Sequence, residues 1–443
     1  YGNAEHSVFY NTAGVRFGDD ATDTTLIRER LTVTTATTTV TGVLRTHQRI
    51  LIRDVNVVNT ASIVTVGGGT VWINGSISGS NAEMRFGEGN EGTLSYNVTG
   101  NVTLGTLTTF ADDTTLTFLE DVTVETATTL LNTRVQFGDA ADDVATFNPG
   151  FNATAVPLFS FAGRMLTNSN PIAISTVTLL ANSEFDTGTG GAAADISIGT
   201  VFGTSALTLD TGATAGGSIS LTTMEHLTGG LTIRDAGDTV TLGTLGLSGS
   251  GPITITQAQA GVTFNNDVFA TTLTITDTAD NQTILFADNR MVRLTTLSTT
   301  AQAYNLDIRS SSFNVTNDAD LLNTGTLALG NGAADLLNFN GGLRAVGQSA
   351  ITLAGQLTTS NARVALAALT LNSSSSIASG TAAASTISLG AVTAGTFNLS
   401  IAAGTNPAAA FTASSITGSG KLTVPSAGSA TFSGAVSMAT VEL

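Results

Sequence analysis

The fold can be read from Thr115-Leu116-Thr117-Phe118-Leu119-Glu120-Asp121-Val122-Thr123-Val124-Glu125. Leu116 and Phe118 alternate with Thr115 and Thr117. Past Leu119-Glu120, Val122 and Val124 alternate with Asp121, Thr123 and Glu125. Successive side chains of a strand point to opposite faces, so this spacing puts aliphatic and aromatic groups on one face and hydroxyls on the other. Threonine suits the outer face because its β-branch stiffens χ1 and its hydroxyl reaches a neighbouring strand.

The same two-residue period recurs at Ile253-Thr254-Ile255-Thr256 and at Thr272-Leu273-Thr274-Ile275-Thr276. The strands are short, and Gly, Asn and Asp clusters such as Gly18-Asp19-Asp20, Gly100-Asn101 and Asp288-Asn289 separate them. Such residues tolerate positive φ and make tight turns. Composition agrees. The 443 residues include 78 threonines, 48 glycines and one lysine, Lys421, which leaves too few helix formers for a helical protein. No cysteine is present, so a disulfide scaffold is excluded. With 42% hydrophobic residues the chain has enough apolar surface to fold.

Degenerate repeats run along the chain. A Phe-Gly-acid turn occurs at Phe17-Gly18-Asp19, Phe86-Gly87-Glu88 and Phe137-Gly138-Asp139, with a relative at Phe110-Ala111-Asp112. Leu130-Leu131-Asn132-Thr133, Gly138 and Ala140-Ala141-Asp142 are restated as Leu321-Leu322-Asn323-Thr324, Gly330 and Ala333-Ala334-Asp335. Loose spacing fits a stack of similar rungs with variable loops better than a propeller of equal blades. Only six prolines occur, and no shift in composition marks a linker, which favours one solenoid over a chain of sandwiches. Sparse aromatics, one Trp, four Tyr and 20 Phe, are read as the mark of a narrow bore with little room for rings.

The expected fold is therefore all-β, a right-handed parallel β-helix of roughly 18–22 rungs. Residues 1–20 are expected to form an N-terminal cap or edge segment and residues 21–443 a continuous solenoid. Its part from 364 to 443 is nearly uncharged, with Lys421 and Glu442 alone. That stretch is expected to be covered by another chain or to continue into more of the same structure. The chain opens on Tyr1 without a basic-then-apolar leader, which reads as a mature product or an excerpt.

Net charge is −17. This balance argues against nucleic acid and against an anionic membrane face. No run is long and apolar enough for a membrane helix, so direct membrane insertion is not expected. Six arginines nevertheless gather between Arg16 and Arg53.

Val262-Thr263-Phe264-Asn265-Asn266-Asp267-Val268 and Leu336-Leu337-Asn338-Phe339-Asn340-Gly341-Gly342 resemble the β-helical passenger regions of large bacterial surface exoproteins. These are the autotransporter and filamentous-haemagglutinin-like proteins, including rickettsial outer-membrane surface antigens. The resemblance is one of texture and covers most of the chain from about residue 20. It implies display at the bacterial cell surface, associated with the outer membrane, as an adhesin or an envelope coat. The expected partners are further copies of the chain, as a homo-oligomer or homopolymer, and surface glycans or a host cell surface. No catalytic residues come with it.

Candidate chemistry is thin. His6, His47 and His226 are isolated, and neighbours such as Glu225 and His226 would point apart on a strand. Trp72 and the tyrosines are candidates for stacking on sugars. Carboxylates cluster at Asp19-Asp20 with Asp23, Asp112-Asp113, Glu120-Asp121, and Asp139 with Asp142-Asp143. Stacked acidic turns would repel one another, and calcium would relieve that. Asp19, Asp20, Asp139, Asp142 and Asp143 are thus the metal candidates, for calcium; no other cofactor and no enzymatic activity are expected. The alternative is a carbohydrate-active β-helix enzyme or tailspike-like depolymerase, which would need carboxylates converging on neighbouring rungs beside exposed aromatics.

Overall fold

The computed structural model describes residues 6–88, 93–111, 113–381 and 385–443. Its strands pair in parallel and stack into a β-solenoid of about 19 rungs, with no α-helix among the described residues. Two compact units divide the chain, Tyr1–Ser220 and Leu221–Leu443.

In the first unit Val122 lies beside Val102, so the chain between them makes one full rung. The decisive stretch behaves as its period demands. Leu116, Phe118, Val122 and Val124 are buried, and Thr115, Thr117 and Thr123 face outward. Ile73, Val98, Phe118, Phe137, Phe161 and Leu179 form one in-register column down the bore. Residues 6–17 already belong to the ladder, because His6–Phe9 and Val15–Phe17 pair in parallel with the strand Arg30–Thr46.

Rings fill this bore, contrary to the expectation of little room for them. Phe118 and Phe137 stack at 5.2 Å and 9°. Phe137 also meets Phe147, Phe151 and Phe159 at 5.2, 6.0 and 6.2 Å. Flat rings one rung apart nearly match the strand spacing, so phenylalanines can stack in a column down the bore.

In the second unit the rungs are uneven in length, since Ile253 lies beside Leu273 whereas Val268 lies beside the more distant Val292. The extra residues go into the corners, and the strands keep their register. Leu306, Leu327, Ile351, Leu369, Val392 and Ile416 make the equivalent column here.

The Phe-Gly-acid turn has a definite construction. Gly138, at φ 72°, starts a loop whose Asp139 and Ala140 amides both donate to Asp143 Oδ2, at 2.8 and 2.9 Å. The loop sits on a bulge of the next rung, where Gly163 has φ 90° and Arg164 N donates to Asp143 O at 2.8 Å. A Cβ on Gly138 would lie 2.5 Å from Ala162 O, and one on Gly163 would lie 2.1 Å from Asp143 O. Only glycine fits both places. The arrangement recurs with Gly18, Asp23 and Gly42, and again with Gly330, Asp335 and Gly355. In each case the clamping aspartate stands five positions after the first glycine. The residue equivalent to Asp335 is therefore Asp143, and not the Asp142 that matching of Ala-Ala-Asp suggests.

The Leu-Leu-Asn-Thr corners are also equivalent. Leu130 and Leu321 are buried, and the next amides, Leu131 N and Leu322 N, donate to Thr109 Oγ1 and Thr299 Oγ1 of the preceding rung at 2.8 and 2.7 Å. Buried Asn132 and Asn323 donate from Nδ2 to backbone carbonyls on both sides of the corner.

Candidate functional site

The proposed calcium residues stand in two clamped turns that lie on different rungs. Asp19 and Asp20 are exposed, and their amides donate to Asp23 Oδ2 at 2.9 and 3.1 Å. Thr22 donates to Asp20 Oδ1 from its amide at 2.9 Å and from its hydroxyl at 2.8 Å. Those backbone and hydroxyl bonds hold the Asp20 carboxyl below its usual value, and the Asp19 and Asp20 amides do the same for Asp23. Asp139 and Asp142 are exposed and Asp143 is buried with its Oδ2 shared between two amides. The rung below Asp143 presents Gly163 and Arg164, so the acidic loops do not stack one upon another there. Asp112 lies outside the described residues.

Turn carboxylates and amides have a common task instead. Asp54, Asp121 and Asp195 each accept, through Oδ1, the amide that opens a strand one rung later, at Ser76, Val144 and Ser218. Distances are 3.0, 2.8 and 2.8 Å. A charged acceptor on a backbone N–H makes a strong hydrogen bond, so these side chains lock neighbouring rungs together.

The densest convergence of acids is elsewhere, at Glu184, Asp186 and Asp210, whose carboxylate oxygens lie within 4.8 Å of one another. Register explains it. Arg164 stands beside Glu184, and Asp186 stands beside Asp210 on the following strand. Arg164 Nε reaches Glu184 Oε1 at 3.0 Å and its Nη2 reaches Asp186 Oδ2 at 2.6 Å. Burial works against the charge of Arg164, but Asp186 and Glu184 overcome it and raise its pKa. Asp186 and Asp210 open two matching Asp-Thr-Gly turns. Each Oδ1 accepts the glycine amide, Gly188 or Gly212, at 2.8 Å. Thr187 and Thr211 then donate to Ala194 O and Gly217 O at 2.6 and 2.8 Å.

Chemically this is an acidic column with its own guanidinium. Three carboxylates concentrate negative charge that could attract a cation, but Arg164 already supplies positive charge to two of them. A surface groove of about 340 Å³ runs beside it, lined by Asn182, Ser183 and Thr208 with no aromatic residue. Sequence reasoning missed this column. Its signal is there: Asp186-Thr187-Gly188 returns as Asp210-Thr211-Gly212, one rung later.

The remaining candidates do not converge. His47 is exposed on an outer corner. Tyr96 and Tyr304 are fully buried; burial pushes the Tyr304 hydroxyl up to about 12. Trp72 is half-buried on an outer face, with the Arg49 guanidinium 5.2 Å from its ring centre. No family model, curated protein or solved structure matches the chain.

Proposed function

We propose that the chain is a non-enzymatic extracellular structural protein, a β-solenoid building block of a bacterial cell-surface layer or filament, or the shaft of an adhesin. In this reading copies associate through strand edges and through the neutral part 364–443. One observation carries it. The outward column Thr352, Thr370, Thr393, Thr417 and Ser437 runs in register over consecutive rungs without a charge. Residues 364–443 hold one lysine and one glutamate, net zero, so all of the −17 lies in residues 1–363. Two copies repel over most of their surface and approach without that penalty at this column. Threonine loses little rotamer freedom when such a face is covered.

Negative-stain microscopy of the purified chain at millimolar calcium tests the reading. Sheets or filaments are expected, and T393E/T417E disperses them. Monodisperse particles in both proteins would leave the adhesin shaft and remove the lattice.

A second reading, a carbohydrate-active enzyme, has the convergence of Glu184, Asp186 and Asp210 on adjacent strands in its favour. Release of reducing sugar from polysaccharides, lost in E184Q, would establish it and overturn the structural role.

A further inference from the structure

The arginines between Arg16 and Arg53 have so far found no role. Against Asp19, Asp20, Asp23 and Glu29 they give residues 16–53 a net charge of 6 − 4 = +2, so the rest of the chain carries −19. Most arginines beyond this region sit against a carboxylate, as do Arg85, Arg164, Arg309, Arg344 and Arg363, and within it Arg45 pairs with Glu88 and Arg53 with Asp54. Arg28, Arg30 and Arg49 have no carboxylate partner among the described residues.

Their placement is specific. Arg30 opens the strand whose Leu31 lies beside Ile50, and Leu31 N donates to Arg49 O at 3.2 Å. Arg30 and Arg49 therefore occupy one corner on successive rungs, with exposed Arg28 and His47 beside them. Glu29 is the acid next to them in sequence. Arg30 Nε is shielded from solvent and has no hydrogen-bond partner. On the adjoining outer face Leu51, Trp72 and Asn97 stand in register on consecutive rungs, and Arg49 lies over the indole. Asn97 Oδ1 is likewise buried without a partner.

We infer that this corner and face bind an acidic polysaccharide, with Arg30 and Arg49 gripping its carboxylate or sulfate groups and Leu51 and Trp72 lining the path of its sugar rings. Arginines rooted on strands about 4.8 Å apart are like charges that a bound anion would relieve. Their planar forks match a carboxylate or sulfate. The half-apolar surface left by Trp72 and Leu51 suits the C–H groups of a sugar. Duplex nucleic acid fits less well. It carries a charge about every 1.7 Å and would run at once onto the acidic rungs that follow. A polysaccharide with at most one or two charges per ring meets the patch without that conflict. The inference takes its source of polysaccharide from the extracellular reading above, but the binding itself is independent of any lattice.

Calorimetry of the full chain with polygalacturonate, dextran sulfate and neutral dextran tests it at low salt and again at about 0.5 M, where exposed charge attraction is largely screened. Binding to one or both polyanions, none to dextran, and loss of affinity with salt are expected. R30Q/R49Q should weaken binding at least tenfold with an unchanged circular dichroism spectrum. W72A should weaken polygalacturonate binding several-fold. R293Q, which removes the other arginine stacked on a ring, over Phe269 at 5.8 Å, should change nothing. Preference for one polyanion would assign carboxylate or sulfate as the group recognised. Equal binding of dextran, equal affinity in R30Q/R49Q, or no binding at all would overturn the inference. So would self-association lost in R30Q/R49Q without polysaccharide binding, which would give the corner to a second copy. Sheets in negative stain that persist in R30Q/R49Q would leave the structural reading intact whichever result is obtained.

Discussion

Rungs between Ile77 and Asp186 and rungs after Val364 follow one backbone plan but are finished differently inside and out. The earlier rungs pack eight buried phenylalanines into the bore and hold Arg85, Glu83, Arg164, Glu184 and Asp186 in ion pairs outside. The later rungs fill the bore with Ile377, Ile387, Leu389, Val392, Leu399 and Ile401, with Phe411 as the one fully buried ring among the described residues. Outside they carry Ser376, Ser388, Thr393, Ser400 and Thr412. The ladder needs an apolar bore and glycine at a few corners; the outer finish is free to vary. Function is therefore to be sought in that finish.

The largest test of the contrast is inside. Phe137→Ala should destabilise its rungs by about 3–5 kcal/mol, because it removes the ring that meets four others, whereas Leu389→Ala should cost about 2–3 kcal/mol. Hydrogen exchange read rung by rung measures both, since a solenoid opens locally. Equal costs would mean that the phenylalanine column adds nothing beyond volume.

Next is the corner clamp. Gly138→Ala should cost about 2 kcal/mol or more, as it forces a side chain into positive φ and onto Ala162 O. Gly347→Ala, with no atom near its Cβ, should stay within about 0.5 kcal/mol of zero. Denaturant midpoints of the two variants decide it, and similar losses would remove the clamp as a special element.

The smallest effect is electrostatic. Arg85, helped by Thr108 and Thr60, holds the Glu83 carboxyl below its usual 4.5 against the opposing cost of burial. A carboxyl whose folded pKa is depressed contributes stability that is complete above its unfolded value and lost as pH falls through the folded one. Exchange protection around Ile77–Phe86 should thus decline below about pH 4.5, by no more than about 1 kcal/mol for so exposed a pair, and E83Q should flatten the decline. Rungs after Val364, with Glu442 as their one carboxylate, should respond far less. An equal response in both regions would contradict the assignment.

The alternation at Leu116, Phe118, Val122 and Val124 is enough to say which side chains enter the bore, because a period of two leaves each side chain one face to occupy, but the parallel stacking is legible only from the degenerate repeats and the absence of linkers. The clamp is only half legible. Phe137-Gly138-Asp139 reads as a turn, but the residue that closes it, Asp143, lies five positions beyond the glycine and beside the equally acidic Asp142. Nothing in local propensity separates the two. The phenylalanine column is invisible to a local reading because its members come from successive rungs, and only register reveals that they stack. The column of Glu184, Asp186 and Asp210 is hidden for the same reason. Its Asp-Thr-Gly pair stands among many Thr and Gly residues, and Arg164 belongs to yet another rung. Trp72 is recognisable as a stacking candidate, but its pairing with Arg49 depends on a corner whose position no single strand specifies.

The paired glycines have a consequence for how such a chain winds. A solenoid whose rungs look alike is open to misthreading, in which a strand docks one residue out of frame or skips a rung. At Gly18 with Gly42, Gly138 with Gly163 and Gly330 with Gly355 the backbones touch so closely that any other pairing drives a side chain into a carbonyl. These places serve as frame marks along the thread, letting a repetitive polymer find a single winding among many near-copies.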